Sequence, residues 1–259
     1  MVKAEKINEH IYRVKSPYHD IYTTTYLIKT ENGNVLFDAA SYPEDVSQYI
    51  APAMSDAGID RLDYIFISHN HLDHAGALEE LMKRFPKAQI LSRCPKLKEK
   101  FSAYSVTAPN DGDTVCDVLQ VVTIPGHTQD AAALLDTRTS TMICGDCLQL
   151  FGIFGSGKWA ANITLIPEHL EALEKLRAMP IEKVYTAHDY HPLGFVYTGR
   201  EQIHAALDAC IAPLVRVKEL IAQHPEDTDE QIADWYNSPD LPVLGAHVVT
   251  AVRRYREFL

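Results

Sequence analysis

Ser68-His69-Asn70-His71-Leu72-Asp73-His74-Ala75-Gly76 packs three histidines and a carboxylate onto one short stretch. An apolar run, Tyr64-Ile65-Phe66-Ile67, leads into it, and an amphipathic run from Ala75 to Phe85 leads out. The pattern predicts a buried strand, a polar loop and a helix. Imidazole and carboxylate are common ligands for Zn, Fe and Mn. A lone histidine is readily structural. Three of them with an Asp on one tight loop at a strand end are not explained by packing.

Outward from this stretch, other strand ends carry similar groups. Val118 to Ile124 reads as a strand ending at Pro125-Gly126-His127-Thr128. Ala132 to Asp136 and Thr141 to Cys144 read as a hairpin whose second strand ends at Gly145-Asp146. Lys183 to Ala187 reads as a strand ending at His188-Asp189. Strand-end loops are where a rigid scaffold presents function. The donors number five histidines and two aspartates, too many for one tetrahedral zinc. They suit two metal ions roughly 3.5–4 Å apart with a bridging carboxylate.

The bulk composition narrows the partners. The chain has 259 residues, 46% of them hydrophobic, enough for a sizeable core. Lys and Arg total 24 against 35 Asp and Glu, a formal charge of -11. That argues against nucleic acid and against an anionic membrane surface, both of which need clustered positive charge. Met1 to Lys6 lacks the apolar segment of a signal peptide, and no run approaches a membrane span. Five scattered cysteines do not form a disulfide framework, so a reducing, cytoplasmic setting is expected.

The rest of the chain supplies strands and covering helices. His10 to Val14 and Ile21 to Lys29 read as strands with a loop at Ser16-Pro17-Tyr18-His19-Asp20 between them. Asn32-Gly33 marks a hairpin, and Val35 to Asp38 returns as a strand. Pro43 opens a helix that stops near Gly58. Gln89 to Ser92 is a short strand, Pro95 to Tyr104 a helix, and Pro167 opens another helix. Arg200 to His224 is a long helical pattern, followed by shorter ones at 228–236 and 246–258. The expected division is a metal-binding body over 1–199 and a helical extension over 200–259 packed on it. Those helices suit a dimer face or a substrate lid equally, so a homodimer is one expected assembly.

The order His69-x-His71-x-Asp73-His74, Gly126-His127-Thr128, Gly145-Asp146 and a late His188 resembles the metallo-β-lactamase fold superfamily of hydrolases over about residues 7–199. The resemblance implies an α+β fold: a four-layer αβ/βα sandwich with the metals at one edge, here with a C-terminal helical extension. It implies that His69, His71 and His127 bind one metal, Asp73, His74 and His188 the second, and that Asp146 bridges them. Zinc is the first expectation, iron or manganese the alternatives. Asp38 matches an aspartate that supports the ligands from behind. Two departures, Ala187 in place of the usual glycine and Gln129-Asp130-Ala131 after Gly-His-Thr, leave the ligand set intact and bear on substrate.

Two cations sharing a water produce a hydroxide near neutral pH. Asp73 is expected to hold that hydroxide as the catalytic carboxylate. The expected reaction is hydrolysis of an ester, thioester or lactone-like bond in a small molecule. The nearest subgroup is glyoxalase II-like, where a cation after the bridging Asp meets the substrate carboxylate. Lys158 in Gly155-Ser156-Gly157-Lys158 is similar but displaced further from Asp146. Acyl-homoserine lactonases often carry a Tyr just after that Asp, and Cys147-Leu148-Gln149-Leu150 has none. The alternatives are a mononuclear-iron, persulfide dioxygenase-like oxidoreductase and a phosphodiesterase of the same fold; a non-catalytic sensor is the third class. Besides Lys158, the candidate substrate contacts are Tyr190 and His19. Tyr18 and His191 stand on the same loops, and each of the four is equally explained by packing or solvent exposure. Phe154 and Trp159 are expected to roof the cavity. Cys144-Gly145-Asp146-Cys147 is formally C-x-x-C, but it straddles the aspartate at a strand end and reads as buried thiols.

Overall fold

The computed structural model describes residues 4–152, 161–191, 193–236 and 247–258. Its first sheet has seven strands adjacent in chain order. They are β1 (Glu5–Lys6), β2 (Ile11–Tyr18), β3 (Ile21–Thr30), β4 (Gly33–Phe37), β5 (Tyr64–Ile67), β6 (Gln89–Ser92) and β7 (Val106–Thr107). Pairing is antiparallel as far as β4 and parallel from β4 to β7. The second sheet has β8 (Thr114–Val115), β9 (Leu119–Thr123), β10 (Ala132–Asp136), β11 (Thr141–Ile143), β12 (Lys183–Tyr190) and β13 (Gly194–Thr198), again in sequence order. Only β11 and β12 run parallel there.

The parallel steps need crossovers, and helices supply them. Between β4 and β5 lie α1 (Pro43–Asp45), a π-turn (Val46–Ile50) and α2 (Ala51–Asp56). After β5 come α3 (Leu72–Ala75) and α4 (Leu78–Arg84), and after β6 comes α5 (Pro95–Lys100). Helix α6 (Ile166–Ala178) joins β11 to β12. The C-terminal helices are α7 (Gly199–Gln223), α8 (Asp229–Tyr236) and α9 (His247–Phe258). None is long and apolar enough to cross a membrane.

Strand alternation explains the four layers. Tyr26 and Ile28 of β3, Val35 and Phe37 of β4 and Phe66 of β5 face Val121 of β9, Leu134 of β10 and Ile143 of β11 between the sheets. Their neighbours Leu27, Leu36, Ile65 and Ile67 pack outward against Ile50, Leu78 and Leu81. On the other side Val122, Leu135 and Met142 meet Leu173 of α6 and Leu207 of α7. The central strands are apolar on both faces because each sheet is covered on both sides there. Tyr26 ties the two sheets together, its hydroxyl donating to the Thr186 carbonyl at 2.6 Å. Helix α7 continues beyond the sheet to pack Val217 and Leu220 on Ile232 of α8 and Val252 of α9.

Two segments differ from the sequence-based expectation. Residues 16–20 do not form a loop: β2 runs to Tyr18 and turns to Ile21 through His19 and Asp20. His19 takes a positive φ of 52°, and Pro17 lies beyond the reach of the short edge strand β1. Strand β12 also passes His188 and ends at Tyr190, because a register shift after Tyr185 lets Tyr190 pair with Gly194. His188 is thus held within a strand rather than on a loop.

Gly76 explains why the histidine stretch ends as it does. A Cβ there would lie 1.9 Å from the Ser41 carbonyl oxygen and 2.5 Å from that of Leu72. The Gly76 N–H also donates to the Ala40 and Leu72 carbonyls at 3.1 and 2.8 Å. The loop after β4 therefore presses directly on α3. Gly76→Ala is expected to destabilise the fold by about 3 kcal/mol or more, because neither contact atom is a movable side chain. Urea unfolding of the variant checks this.

Candidate metal centre

All seven donors expected from the sequence meet at one edge of the sandwich. Ser68 directly follows β5, and His71 is still extended, with φ -85° and ψ 159°. Asp73 and His74 lie on the first turn of α3. The change of direction sends His69 and His71 one way and Asp73 and His74 the other. His127 follows β9, Asp146 follows β11 and His188 projects from β12. They form two groups, His69 with His71 and His127, and Asp73 with His74 and His188. Asp146 belongs to both, and within each group the donor atoms lie within 4.8 Å of one another.

The hydrogen bonds behind these residues fix which nitrogen faces inward. His127 Nδ1 lies 2.6 Å from the Asn162 carbonyl and His188 Nδ1 2.6 Å from the Tyr22 carbonyl. A carbonyl only accepts, so each Nδ1 carries a proton and Nε2 is the nitrogen left to ligate. His74 Nδ1 sits 2.7 Å from Asp38 Oδ2. The Ser68 hydroxyl donates to Asp38 at 2.9 Å and so accepts from His69 Nδ1 at 3.0 Å. The Nε2 atoms of these four imidazoles consequently converge. His71 Nδ1 lies 3.1 Å from His69 Nε2 and 2.8 Å from His127 Nε2. His74 Nε2 is buried and makes no hydrogen bond, although Asp73 and Asp146 oxygens lie 3.3 and 3.4 Å away. Ring nitrogens and carboxylate oxygens aimed at one point from several sides are satisfied together by a cation once the nitrogens are unprotonated. The donor set fits divalent metal ions.

Asp146 divides its two oxygens between the groups. Oδ1 lies 3.3 Å from His188 Nε2 and 3.4 Å from His74 Nε2. Oδ2 lies 3.8 Å from His127 Nε2 and 4.0 Å from His69 Nε2. Asp38, fully buried, takes the Ser68 N–H at 2.7 Å as well as the Ser68 hydroxyl and His74. Its φ of 62° is one that Asp tolerates better than most residues.

The two groups differ in proton affinity. Burial, reinforced by neighbouring imidazoles, pushes His69 well below the usual histidine range, and burial brings His127 down to about 4. Burial works the same way on His188, but Asp146 and Asp73 outweigh it and raise His188 to about 9. His74 is raised well above its ordinary value by Asp73, Asp146 and Asp38 against the effect of burial. Ligating imidazole must be unprotonated. Metal-stripped protein at pH 7 therefore has to release a proton from His188 to fill the Asp73 group, and none from His127 to fill the other. Affinity at the Asp73 group is expected to rise about tenfold per pH unit from His188 alone up to about pH 9, while His127, brought down to about 4, adds no such dependence to the other group at neutral pH. Calorimetric titrations in buffers of different ionisation enthalpy measure the released protons directly.

The cavity over the donors encloses about 240 Å³. Besides donors it is lined by Tyr18, Ile21, Leu72, Gln149 and Asn162. Neither Gln149 nor Asn162 belongs to a motif that would mark it as part of the site. Gln149 Oε1 accepts the Asn162 N–H at 2.6 Å, and Asn162 Oδ1 accepts from Arg254 of α9 at 2.8 Å. Backbone and side-chain amides thus brace His127, and the last helix braces them. The proposed substrate contacts are placed differently. Tyr190 is fully buried and donates to Asp146 Oδ1 at 3.0 Å, so it supports a donor and does not line the cavity. His19 is exposed, with its ring 4.5 Å from that of Tyr18. Lys158, with Phe154, Gly155, Gly157 and Trp159, lies outside the described residues. Cys144 and Cys147 are buried free thiols, and burial raises Cys147 well above the ordinary thiol range.

Comparison with known proteins places this architecture. Residues 20–93 match the family model of the metallo-beta-lactamase superfamily. Uncharacterized protein YobT of Bacillus subtilis is 32% identical over 164 residues, 52% of this chain and 67% of that protein. The chain belongs to the metallo-β-lactamase superfamily. A hydroxyacylglutathione hydrolase of Aliivibrio fischeri is 31% identical over 134 residues, 50% of this chain, and the match spans about half (48%) of that enzyme's length. Among solved structures, the metallo-beta-lactamase family protein TTHA1429 of Thermus thermophilus superposes with a TM-score of 0.66 at 16% identity, covering 98% of this chain and 94% of that one. Rubredoxin oxygen:oxidoreductase of Desulfovibrio gigas gives 0.61 at 20% identity, covering 81% of this chain and 61% of that one. At such identities the superpositions speak for the fold alone.

Proposed function

We propose that the chain is a metal-dependent hydrolase that uses two divalent ions, zinc in the first instance, to cleave an ester, thioester or lactone-like bond in a small molecule. The observation that carries this reading is the pair of three-residue groups facing the two oxygens of Asp146. Two such ions, when bound, lower the pKa of a shared water and polarise the oxygen of the bond to be broken. The protein's own part is orientation and proton handling. Asp73 lines the cavity and stays ionised, since His74 and His188 hold its carboxyl well below the usual range against the effect of burial. It therefore accepts a hydrogen bond from the attacking water and fixes its approach. The Asn162 carbonyl keeps His127 still, Gln149 holds Asn162 in place, and Tyr190 steadies Asp146.

The hydroxyacylglutathione hydrolase relatives favour acyl substrates, thioesters among them, over phosphodiesters. Five free cysteines support a reducing, cytoplasmic setting. The test is to strip the protein with a chelator, reload it with Zn, Mn or Fe, and assay an ester, a thioester, a lactone and a phosphodiester. Acyl hydrolysis that is absent after stripping and returns on reloading is the expected result. Full hydrolysis in the stripped sample, or one iron per chain with oxygen uptake, would overturn the proposal.

A further inference from the structure

Among the cavity's residues Tyr18 alone combines an aromatic wall with an uncommitted O–H. Three buried tyrosines place their hydroxyls on protein acceptors: Tyr26 on the Thr186 carbonyl, Tyr190 on Asp146 and Tyr197 on the Gly194 carbonyl. Tyr18 is half-buried and its hydroxyl makes no hydrogen bond among the described residues. Its ring is nonetheless fixed. It stands at the last paired position of the β2–β3 hairpin, opposite Ile21, with His19 at 4.5 Å and Tyr42 at 6.3 Å between ring centroids. It shares the cavity with Asp73 and Asp146 and senses both charges, which together with burial keep the phenol protonated. Ile21 and Leu72 complete that side of the cavity with apolar surface, Leu72 being 55% exposed although it lies between two donors of the site. A fixed donor in partly apolar surroundings is worth most where charge develops opposite it.

We propose that Tyr18 is a substrate-contacting residue: its O–H donates to the acyl oxygen on which negative charge builds, while the apolar part of an acyl substrate lies on Ile21 and Leu72. The turnover arm of this inference rests on the hydrolase reading, and the binding arm does not. Phenylalanine keeps the ring packing and removes only the donor, so a structural role leaves Tyr18→Phe unchanged. With the zinc-loaded protein and p-nitrophenyl hexanoate, Tyr18→Phe is expected to lower kcat about 100-fold with KM changed less than about twofold, the effect of losing one donor to a developing oxyanion. Hexylphosphonate, a tetrahedral mimic of the attacked acyl group, is expected to bind the variant at least about tenfold more weakly in calorimetry, with zinc content equal to wild type. Equal kcat and equal phosphonate affinity in the two proteins overturn the inference. If the wild type turns over no acyl substrate, the hydrolase reading falls and calorimetry decides alone. Weaker binding by the variant then sustains the donor role. Equal binding, or none by the wild type, ends it.

Discussion

Asp146→Ala is expected to lose both metal ions together and to lower acyl hydrolysis by about three powers of ten or more. The size follows from removing an effect worth several kcal/mol to the reaction, at 1.36 kcal/mol for each tenfold. The joint loss follows from geometry. Oδ1 serves His74 and His188, and Oδ2 serves His69 and His127, so one substitution opens both groups. A ligand that serves one group behaves otherwise. His188→Ala removes a donor from the Asp73 group only and is expected to leave the His71 group able to hold its ion. Metal content measured on the two variants side by side separates a bridging from a non-bridging role. Asp146→Ala also strips the counter-charge from His74 and His188, both of which are raised in part by that carboxylate.

Asp38→Ala is expected to cost about 3–5 kcal/mol of stability, although Asp38 touches no substrate space. Its carboxylate is fully buried and takes three hydrogen bonds: the Ser68 N–H at 2.7 Å, the Ser68 hydroxyl at 2.9 Å and His74 Nδ1 at 2.7 Å. Alanine leaves those donors buried without partners and has to hold a φ of 62°. Asp38→Asn isolates the effect on the site. Asn tolerates the backbone and can still accept from Ser68, but it presents an amide N–H to His74 Nδ1. The folded Asn variant is expected to bind metal in the His74 group about 10–100-fold more weakly, the usual size for a partner standing behind a ligand. Urea unfolding of the Ala variant and metal titration of the Asn variant check the two parts.

Much of this was legible in the sequence because the donors' chemistry is local. His69 to His74 form one run, His127 and Asp146 follow apolar strands, and the meeting of all seven donors at one edge is what the family resemblance implied. Residue periodicity likewise gave β5, β6 and α4, and Gly76 closes the run where two carbonyls leave no room for a side chain. What stayed hidden lacks a local signature. Ser16-Pro17-Tyr18-His19-Asp20 reads as a loop because Pro17 and a left-handed His19 conceal a hairpin that depends on pairing with Ile21 and Tyr22. His188 sits inside a strand because of a register shift that only the return to Gly194 produces. His127 and His188 are oriented by the backbone carbonyls of Asn162 and Tyr22, groups that every residue possesses. Arg254 reaches Asn162 from a helix more than ninety residues later, a link that only folding makes. Tyr190 stands two residues after a donor, but its commitment to Asp146 is visible only once β11 and β12 lie side by side.

The most direct test of the central claim is metal stoichiometry on the purified chain, stripped, reloaded with excess zinc and desalted. Two ions per chain are expected in the wild type, one in His188→Ala and none in Asp146→Ala, with acyl hydrolysis lost in both variants. A wild type that saturates at one ion, or an Asp146→Ala variant that keeps two, would contradict that claim.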